Sequence, residues 1–462
     1  MRNIHQLWIS IFAAASVHGS AVQPAFAQIP LTSDDVASRV RSTSATLAAR
    51  RADVEAAEAA VGEARVALWP RLTASGFYAR YSPISGPTLG NIVMTPNPGP
   101  TGADNPATSV PLRFSVLRNA AGVQVGLSVP ASDYLFRFPH TIAASKLSLT
   151  AAQEQGYASE KQATQSARNL YYSWARAVLQ KEVADAAVEQ TRAHLDFARS
   201  RQGAGSGLST EAVRYESELA NAELLQRKLS HLAELLADQL RTAMHDSRPS
   251  AYVVGETFDQ PGNDSALVDF ENCYRIALAQ RSELTALVAS ADSETEQAKA
   301  ATSSMFPRLE LYGLGLGSNP NPRYVPAEDR FHVTWEIGGK LSYSPNEWAA
   351  ARTQARQHRA RAQSLVAQRQ QLAESVRMEV LSAVQAQQDC VLALVAAQKS
   401  LTLAQELLRV RRSLYTEGRA AHVELTDAET EIVRARFAEV DAKIDTQLAS
   451  IRLRGAMGTL DP

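Results

Sequence analysis

Phe306-Pro307-Arg308-Leu309 repeats a motif that stands earlier in the chain as Trp69-Pro70-Arg71-Leu72. The likeness extends well beyond four residues. Pro130 recurs as Pro345, each at the close of a β-like run. Gly205 recurs as Gly418, each followed six residues later by a glutamate, Glu211 and Glu424. Leu240-Arg241-Thr242-Ala243-Met244 recurs as Leu453-Arg454-Gly455-Ala456-Met457. The spacings agree as well: 75 residues from Pro130 to Gly205 against 73 from Pro345 to Gly418, and 35 from each glycine to its Leu-Arg run. Self-similarity of this kind marks two internal structural repeats, residues 28–245 and 263–462, with 246–262 as a linker. Each reads as helix, strand, loop, strand, very long helix, glycine turn, helix.

Prolines set the helical territories. None lies between Pro30 and Pro70, Pro139 and Pro249, Pro261 and Pro307, or Pro345 and Pro462. An interior proline costs a helix about 3 kcal/mol, so these gaps are where helices can run. A helix of ~70 residues is ~105 Å long at ~1.5 Å per residue, a length that requires neighbours to supercoil with. Alanine, at 78 positions, lets such helices approach closely. Strands are expected at 70–82, 120–130, 308–318 and 331–344. The clearest is Val333, Trp335, Ile337, Gly339, Leu341 and Tyr343, alternating with Thr334, Glu336, Gly338, Lys340 and Ser342. Period two over ten residues gives one apolar and one wet face. The phase change from Leu309/Leu311 to Leu314/Leu316 predicts a bulge. Pro83 to Pro111 holds seven prolines and four glycines with one charge, Asp104, which reads as an irregular exposed loop.

The 462 residues are 45% hydrophobic and 21% charged, with 47 Lys+Arg against 48 Asp+Glu and a net charge of -1. That balance excludes an overall basic nucleic-acid binder, and no nucleic-acid partner is expected. Residues 1–27 read as a signal peptide: Arg2 is positive, Leu7 to Val17 is mostly apolar, and Ala25-Phe26-Ala27 is an A-x-A site. No later apolar run of ~18 residues is expected to span a membrane as a helix. The exported protein is therefore either soluble outside the cytoplasm or a β-barrel in a membrane.

Nothing suggests catalysis. Gly203, Gly205 and Gly207 lack the spacing of a dinucleotide loop, and Ser206 has Ala204 two residues before it rather than the glycine of a nucleophile elbow. Nine histidines show no paired ligand spacing, and Cys273 and Cys390 read as small packing residues. We expect no enzyme, catalytic residue, metal or cofactor.

Taken in order, these features resemble the TolC-like outer-membrane efflux proteins, or outer membrane factors, over nearly the whole mature chain. The resemblance is carried by the doubled layout, the aromatic-Pro-Arg-Leu starts and the glycine turns. Tyr415-Thr416-Glu417-Gly418 followed by Glu424-Leu425-Thr426-Asp427-Ala428-Glu429 is similar to the family's tip motif, and Ala456-Met457-Gly458-Thr459-Leu460 to its usual end. The resemblance implies a mixed α/β membrane protein. Three chains, each giving four strands, would close a 12-stranded outer-membrane barrel continued by an α-helical periplasmic tunnel. A periplasmic adaptor, an inner-membrane pump and outer-membrane lipid would be its partners. It would be the passive exit duct of a tripartite efflux or type I secretion system.

Elementary physics adds that an open sheet edge is forbidden in lipid, so four strands cannot close alone. Val125, Leu127, Trp335, Ile337 and Leu341 then face lipid, and Gln124, Ser128, Glu336 and Lys340 face the lumen. Trp69, Tyr78, Tyr81, Phe306 and Trp348 lie near strand ends, where aromatic girdles belong. Residues 82–113 would lie outside the cell. If the family layout holds, Glu211, Arg214, Tyr415, Arg419, Glu424 and Asp427 cluster at a periplasmic gate beside the turn glycines Gly205 and Gly418. Ala420 stands where the family has an arginine, so Arg419 or Arg214 would have to substitute. Two other classes share long helices: a periplasmic adaptor, which needs one hairpin nested in compact β domains, and a coiled-coil surface protein, which leaves the strand pairs unexplained.

Overall fold

The computed structural model describes residues 29–83, 88–94, 108–113, 117–203, 209–247, 252–258 and 269–461. The expected signal peptide, Gly205 and parts of the expected linker lie outside them. In chain order the elements are β1 (Ile29–Leu31), α1 (Ser33–Thr43), α2 (Ala45–Val66), β2 (Arg71–Arg80), β3 (Thr88–Met94), β4 (Thr108–Arg113), β5 (Asn119–Val129) and α3 (Ala131–Phe136). There follow α4 (Phe138–Gly203), α5 (Ser209–Ala243), β6 (Tyr252–Val254), α6 (Phe270–Gln280), α7 (Ser282–Thr302), β7 (Arg308–Asn319), β8 (His332–Ser342), α8 (Pro345–Thr416) and α9 (His422–Met457). The long helices α4 and α8 have 66 and 72 residues, and each opens with proline at or next to its first position, where the missing N–H is not needed.

Two compact units cut across the repeats, one drawing on Met1–Thr43, Ser166–Asp264 and Cys390–Leu448, the other on Ser44–Gln165, Ser265–Asp389 and Ala449–Pro462. The second contains a four-stranded sheet in the order β2-β5-β7-β8. All its pairs are antiparallel. β2 and β8 are the edges, and neither has an outer neighbour among the described residues. The central β5–β7 seam joins one repeat to the other.

β7 carries no bulge, contrary to the sequence expectation. Its register to β8 is unbroken from Arg308↔Ser342 to Ser318↔His332. Leu314 and Leu316 simply point to the other face. Gly313, Gly315 and Gly317 occupy the positions of the apolar face, between Leu127 and Ile337, Val125 and Trp335, and Val123 and Val333. On the opposite face Gly338 lies under Tyr312, whose ring carbons and hydroxyl fill the space a Cβ would need at 2.9 Å. Covering a strand glycine with a cross-strand aromatic holds the register.

The proline-rich segment is not wholly irregular either. β3 and β4 pair within it, Ile92 opposite Val110 and Asn91 opposite Pro111. Three consecutive residues of strong strand tendency, Ile92-Val93-Met94, outweigh the flanking prolines. The expected linker also carries β6, which pairs in parallel with β1.

The same unit holds a helical core of Cys273, Ala277, Val376, Val380, Ala383, Val384, Leu453 and Ala456 from α6, α8 and α9. Burial pushes the Cys273 thiol pKa up, consistent with a packing role. Arg281, extended between α6 and α7, donates to the last carbonyls of α9, Gly455 at 3.4 Å and Ala456 at 3.2 Å, and pairs with Glu379 at 2.9 Å. Lys161 donates to Gly458 O at 2.8 Å. Cations at a helix C-terminus offset its exposed carbonyls.

In the other unit, Tyr171, Tyr172, Trp174, Tyr252 and Phe258 form a chain of ring contacts 5.2–6.5 Å apart. Tyr171 donates to Leu31 O at 2.9 Å, so β1 is tied to α4. A sequence expectation fails at α8, which contains an 18-residue window of mean hydropathy 1.4, long and apolar enough by length and composition to cross a membrane. Its valines and leucines, more than its alanines, raise the value. Ala397 and Leu394 pack on Ala442, and Ala404 on Ile432 and Ala435, while Leu392 and Val395 stay exposed.

The two Leu-Arg runs end in like caps. Gly458, at φ 70°, ends α9 with Thr459 N–H bonded to Arg454 O at 3.0 Å and Gly458 N–H to Gly455 O at 3.0 Å. His245, at φ 51°, ends α5 with Asp246 bonded to Arg241 at 3.0 Å and His245 to Thr242 at 3.2 Å. Both are the same left-handed C-cap, one with glycine and one without. A left-handed non-glycine residue costs roughly 1–2 kcal/mol. Gly458→Ala should therefore lower thermal stability, aggravated by Gln280 O only 2.9 Å from the new Cβ. His245→Gly should not lower it. Calorimetry on the two variants checks the pair.

Candidate functional site

Two surfaces carry the residues singled out in the sequence. The first is the sheet. Its rows run Leu72–Leu127–Gly313–Ile337, Ala74–Val125–Gly315–Trp335 and Gly76–Val123–Gly317–Val333, with Leu309 opposite Leu341. Val125, Leu127, Trp335, Ile337 and Leu341 thus share one face, and every member of these rows is apolar. The opposite face runs Arg71–Ser128–Tyr312–Gly338, Thr73–Gly126–Leu314–Glu336 and Ser75–Gln124–Leu316–Thr334, with Glu310 opposite Lys340. Gln124, Ser128, Glu336 and Lys340 share this one.

Burial runs opposite to that of a water-soluble sheet. Trp335 and Ile337 are 72% and 81% exposed, while their neighbours Thr334, Glu336 and Gly338 are partly covered. β5 alternates the same way, with Val123, Val125 and Leu127 exposed and Gly122, Gln124 and Gly126 covered or partly covered. Aromatics flank the apolar face: Trp69, Tyr78, Tyr81, Phe306 and Trp348 are all exposed, and Phe306 stacks on Phe136 at 5.2 Å.

The second surface is the turn between α8 and α9. Gly418, at φ 72°, makes the same left-handed cap: Arg419 N–H bonds Leu414 O at 2.8 Å and Gly418 N–H bonds Tyr415 O at 3.0 Å. Glycine is needed because the backbone reverses here within five residues. Across the turn, Arg411 of α8 pairs with Glu424 of α9. Arg201, near the end of α4, donates to the Tyr415 hydroxyl at 3.4 Å. Arg214 is used within its own helix by Glu218 at 2.9 Å, and Arg419 pairs with the adjacent exposed Glu417 at 3.4 Å. Glu211 is half-buried and Asp427 is exposed.

Glu424 and Asp427 lie off the buried stripe of α9, which is Leu425, Ala428, Glu429, Ile432 and Ala435. Glu429 is 8% exposed and meets His194 Nε2 of α4 at 2.8 Å. His194 in turn stacks on Tyr215 of α5 at 5.5 Å. Burial, reinforced by the Glu429 charge, pushes the Tyr215 phenol pKa up. Further along α4, Arg176 pairs with both Asp441 and Asp445 of α9, and Gln180 donates to Asp441 at 2.7 Å. The turn is thus tied to α4 by Arg201, with His194 and Glu429 in close approach deeper in.

Sequence reading missed Arg411, Arg201, His194 and Glu429. Arg411 was recoverable, since it and Glu424 are nearly equidistant from Gly418 on the two arms of the turn. Glu429 lay in the quoted run but reads as one more surface acid. Arg201 and His194 come from the other repeat, and no local pattern marks them. The described residues contain no group of three or more His, Cys, Asp or Glu able to hold a metal ion.

Residues 273–459 match the family described as outer membrane efflux protein. Among solved structures, the chain is similar to CusC, whose structures concern transmembrane channel formation, with TM-score 0.74 and 16% identity over 93% of each chain. It is similar to VceC of Vibrio cholerae, an outer membrane protein, with TM-score 0.71 and 14% identity over 92% of this chain and 96% of that one. The CmeC outer membrane channel of Campylobacter jejuni gives TM-score 0.70 and 16% identity over 92% and 85%. No curated protein sequence matches the chain.

A half-exposed ion pair is worth about 0.2–1 kcal/mol, so loss of the Arg411–Glu424 link should raise local opening about 1.5–5-fold. Trypsin cleavage at Arg412 and Arg419 should speed up by that factor in Arg411→Ala. Asp427→Ala should leave it unchanged.

Proposed function

We infer that this chain, whose residues 273–459 belong to the outer membrane efflux protein family, is the outer-membrane exit duct of a tripartite efflux or type I secretion system. Three copies close a 12-stranded barrel in the outer membrane. Their paired long helices form a periplasmic tunnel, met by an adaptor and an inner-membrane pump that supplies the energy.

One observation carries this reading: the sheet is inside out and has two open edges. On β5 and β8 the apolar side chains Val123, Val125, Leu127, Trp335 and Ile337 are exposed, while Gln124, Ser128, Thr334 and Glu336 on the polar face are partly covered. An exposed apolar face of that size in water marks an interaction site. In lipid it is satisfied, provided that every strand edge is paired, and pairing β8 of one copy with β2 of the next achieves that. Neither an adaptor nor a coiled-coil surface protein requires such a sheet.

At the helix turns, threefold symmetry repeats Glu211, Glu424 and Asp427 as rings. Arg411 neutralises Glu424 within each chain, so Glu211 and Asp427 carry the remaining negative charge of these rings. Arg201 to Tyr415 takes the place of the family's missing arginine at Ala420. Gly418 turns the helices at this end. We place 82–113, including the β3–β4 hairpin, outside the cell.

The outer-membrane fraction should yield a heat-resistant trimer that forms channels in planar bilayers; a soluble monomer would end the proposal. Ile337→Arg should cost about 2–4 kcal/mol if the residue lies near mid-membrane, and should abolish the trimer. Lys340→Gln, on the wet face, should assemble normally. Asp427→Ala should weaken cation selectivity and divalent block, and Glu424→Ala should do so less because its charge is already offset. Equal effects from the two would argue against Arg411 as the balancing group.

A further inference from the structure

The segment joining β7 to β8, residues 320–331, does not extend beyond the sheet; it folds back over one face. Asn321 is the anchor, 1% exposed. Its Nδ2 donates to His332 O at 3.0 Å and to Thr334 Oγ1 at 3.2 Å, and its Oδ1 accepts from Arg323 N–H at 3.0 Å. Arg323 continues in the same direction. Its guanidinium donates to Trp335 O at 3.1 Å and pairs with the Glu336 carboxylate. The Tyr324 ring stacks on His332 with centroids 3.9 Å apart. Asn319 donates to Asp329 at 2.9 Å, and Glu328 meets His332 at 2.9 Å.

Every side chain of β8 that receives these contacts, His332, Thr334 and Glu336, stands on the polar face. Val333, Trp335 and Ile337 between them remain 72–81% exposed. The loop therefore lies on the polar side only. Its far surface is open, since residues 322–331 are all exposed around the single buried Asn321.

We propose that this loop is a second constriction of the duct, latched by Arg323 to Glu336, and that Arg323 sets both the width and the charge of the passage at that end. The proposal rests on the barrel reading above, in which the polar face lines the lumen. Three loops folded onto that face then narrow the opening, and three Arg323 guanidiniums cancel three Glu336 carboxylates that would otherwise draw cations. The arginine side chain is 48% exposed, so it still presents part of its charge to the passage. A backbone acceptor and a carboxylate together fix the guanidinium, which lysine would not reproduce.

Arg323→Ala, Glu336→Ala, the double variant and the exchanged pair Arg323→Glu/Glu336→Arg should be purified as heat-resistant trimers and measured in planar bilayers. Arg323→Ala should raise single-channel conductance and shift the reversal potential toward cation selectivity. Glu336→Ala should raise conductance without that shift. The double variant should match Glu336→Ala in conductance, because either change opens the same latch. The exchanged pair should conduct less than Arg323→Ala without returning fully to the parent's value, because a carboxylate at position 323 cannot donate to Trp335 O. Arg323→Ala trimers with the parent's conductance and reversal potential would overturn the latch while leaving the channel reading intact. An exchanged pair that conducts like Arg323→Ala would do so as well. Failure of the parent chain to form a trimer or to conduct would instead overturn the channel reading, and the latch with it. If Arg323→Ala does not assemble, the exchanged pair and Glu336→Ala still decide the matter.

Discussion

A peptide group in hydrocarbon has no water to bond with, and this requirement governs the sheet. Four antiparallel strands satisfy one another internally, but β2 and β8 each leave one row of N–H and C=O groups unmatched. The apolar face cannot be turned inward to make a soluble domain, because the opposite face carries Gln124, Ser128, Glu310, Glu336 and Lys340. On the proposed barrel reading, association between copies meets both conditions at once. The glycine row on β7 fits the same logic: Gly313, Gly315 and Gly317 lie beside the bulky Ile337, Trp335 and Val333 and smooth the apolar surface without breaking register.

The helices solve a different problem. A helix of 66 or 72 residues gains stability from packing along its length, and here that packing is done by small side chains. About half of the buried positions on α8 and α9 are alanine, with Leu394, Ile432 and Ile444 between them. Alanine contacts bury little area each, so specificity falls to charged ties such as Arg176 to Asp441 and Asp445, Arg281 to Glu379, and Arg411 to Glu424. Ties of this kind select one register out of several that alanine faces would accept equally.

Much of this architecture is legible in the sequence because it depends on period and punctuation. Alternation located β8 almost to the residue, proline gaps bounded α4 and α8, and the repeated Leu-Arg runs marked matching helix ends. What escaped has physical reasons. The inferred bulge in β7 came from tracking leucines, whereas the pleat was being kept by glycines, which carry no hydropathy signal. β3 and β4 were hidden by prolines that a short edge hairpin tolerates. The apolar window of α8 was overlooked because its alanines and leucines are spread among scattered polar residues. At the turn, the glycine and the acids could be named in advance, but their partners could not. Arg201 and His194 lie more than two hundred residues from Tyr415 and Glu429 in the chain, and an ion pair between distant segments leaves no periodic trace.

The alternation in β8 also bears on how such a chain travels. Trp335, Ile337 and Leu341 never stand next to one another; Glu336, Gly338 and Lys340 intervene, so averaged along the unfolded chain the segment is only mildly apolar. Machinery that inspects an extended polypeptide finds in this segment no stretch greasy enough to hold. The oily surface comes into being only when strands align side by side and their alternate residues merge into rows. Hydrophobicity here is a property of the assembled sheet, withheld from the polypeptide until it reaches the place where that surface is wanted.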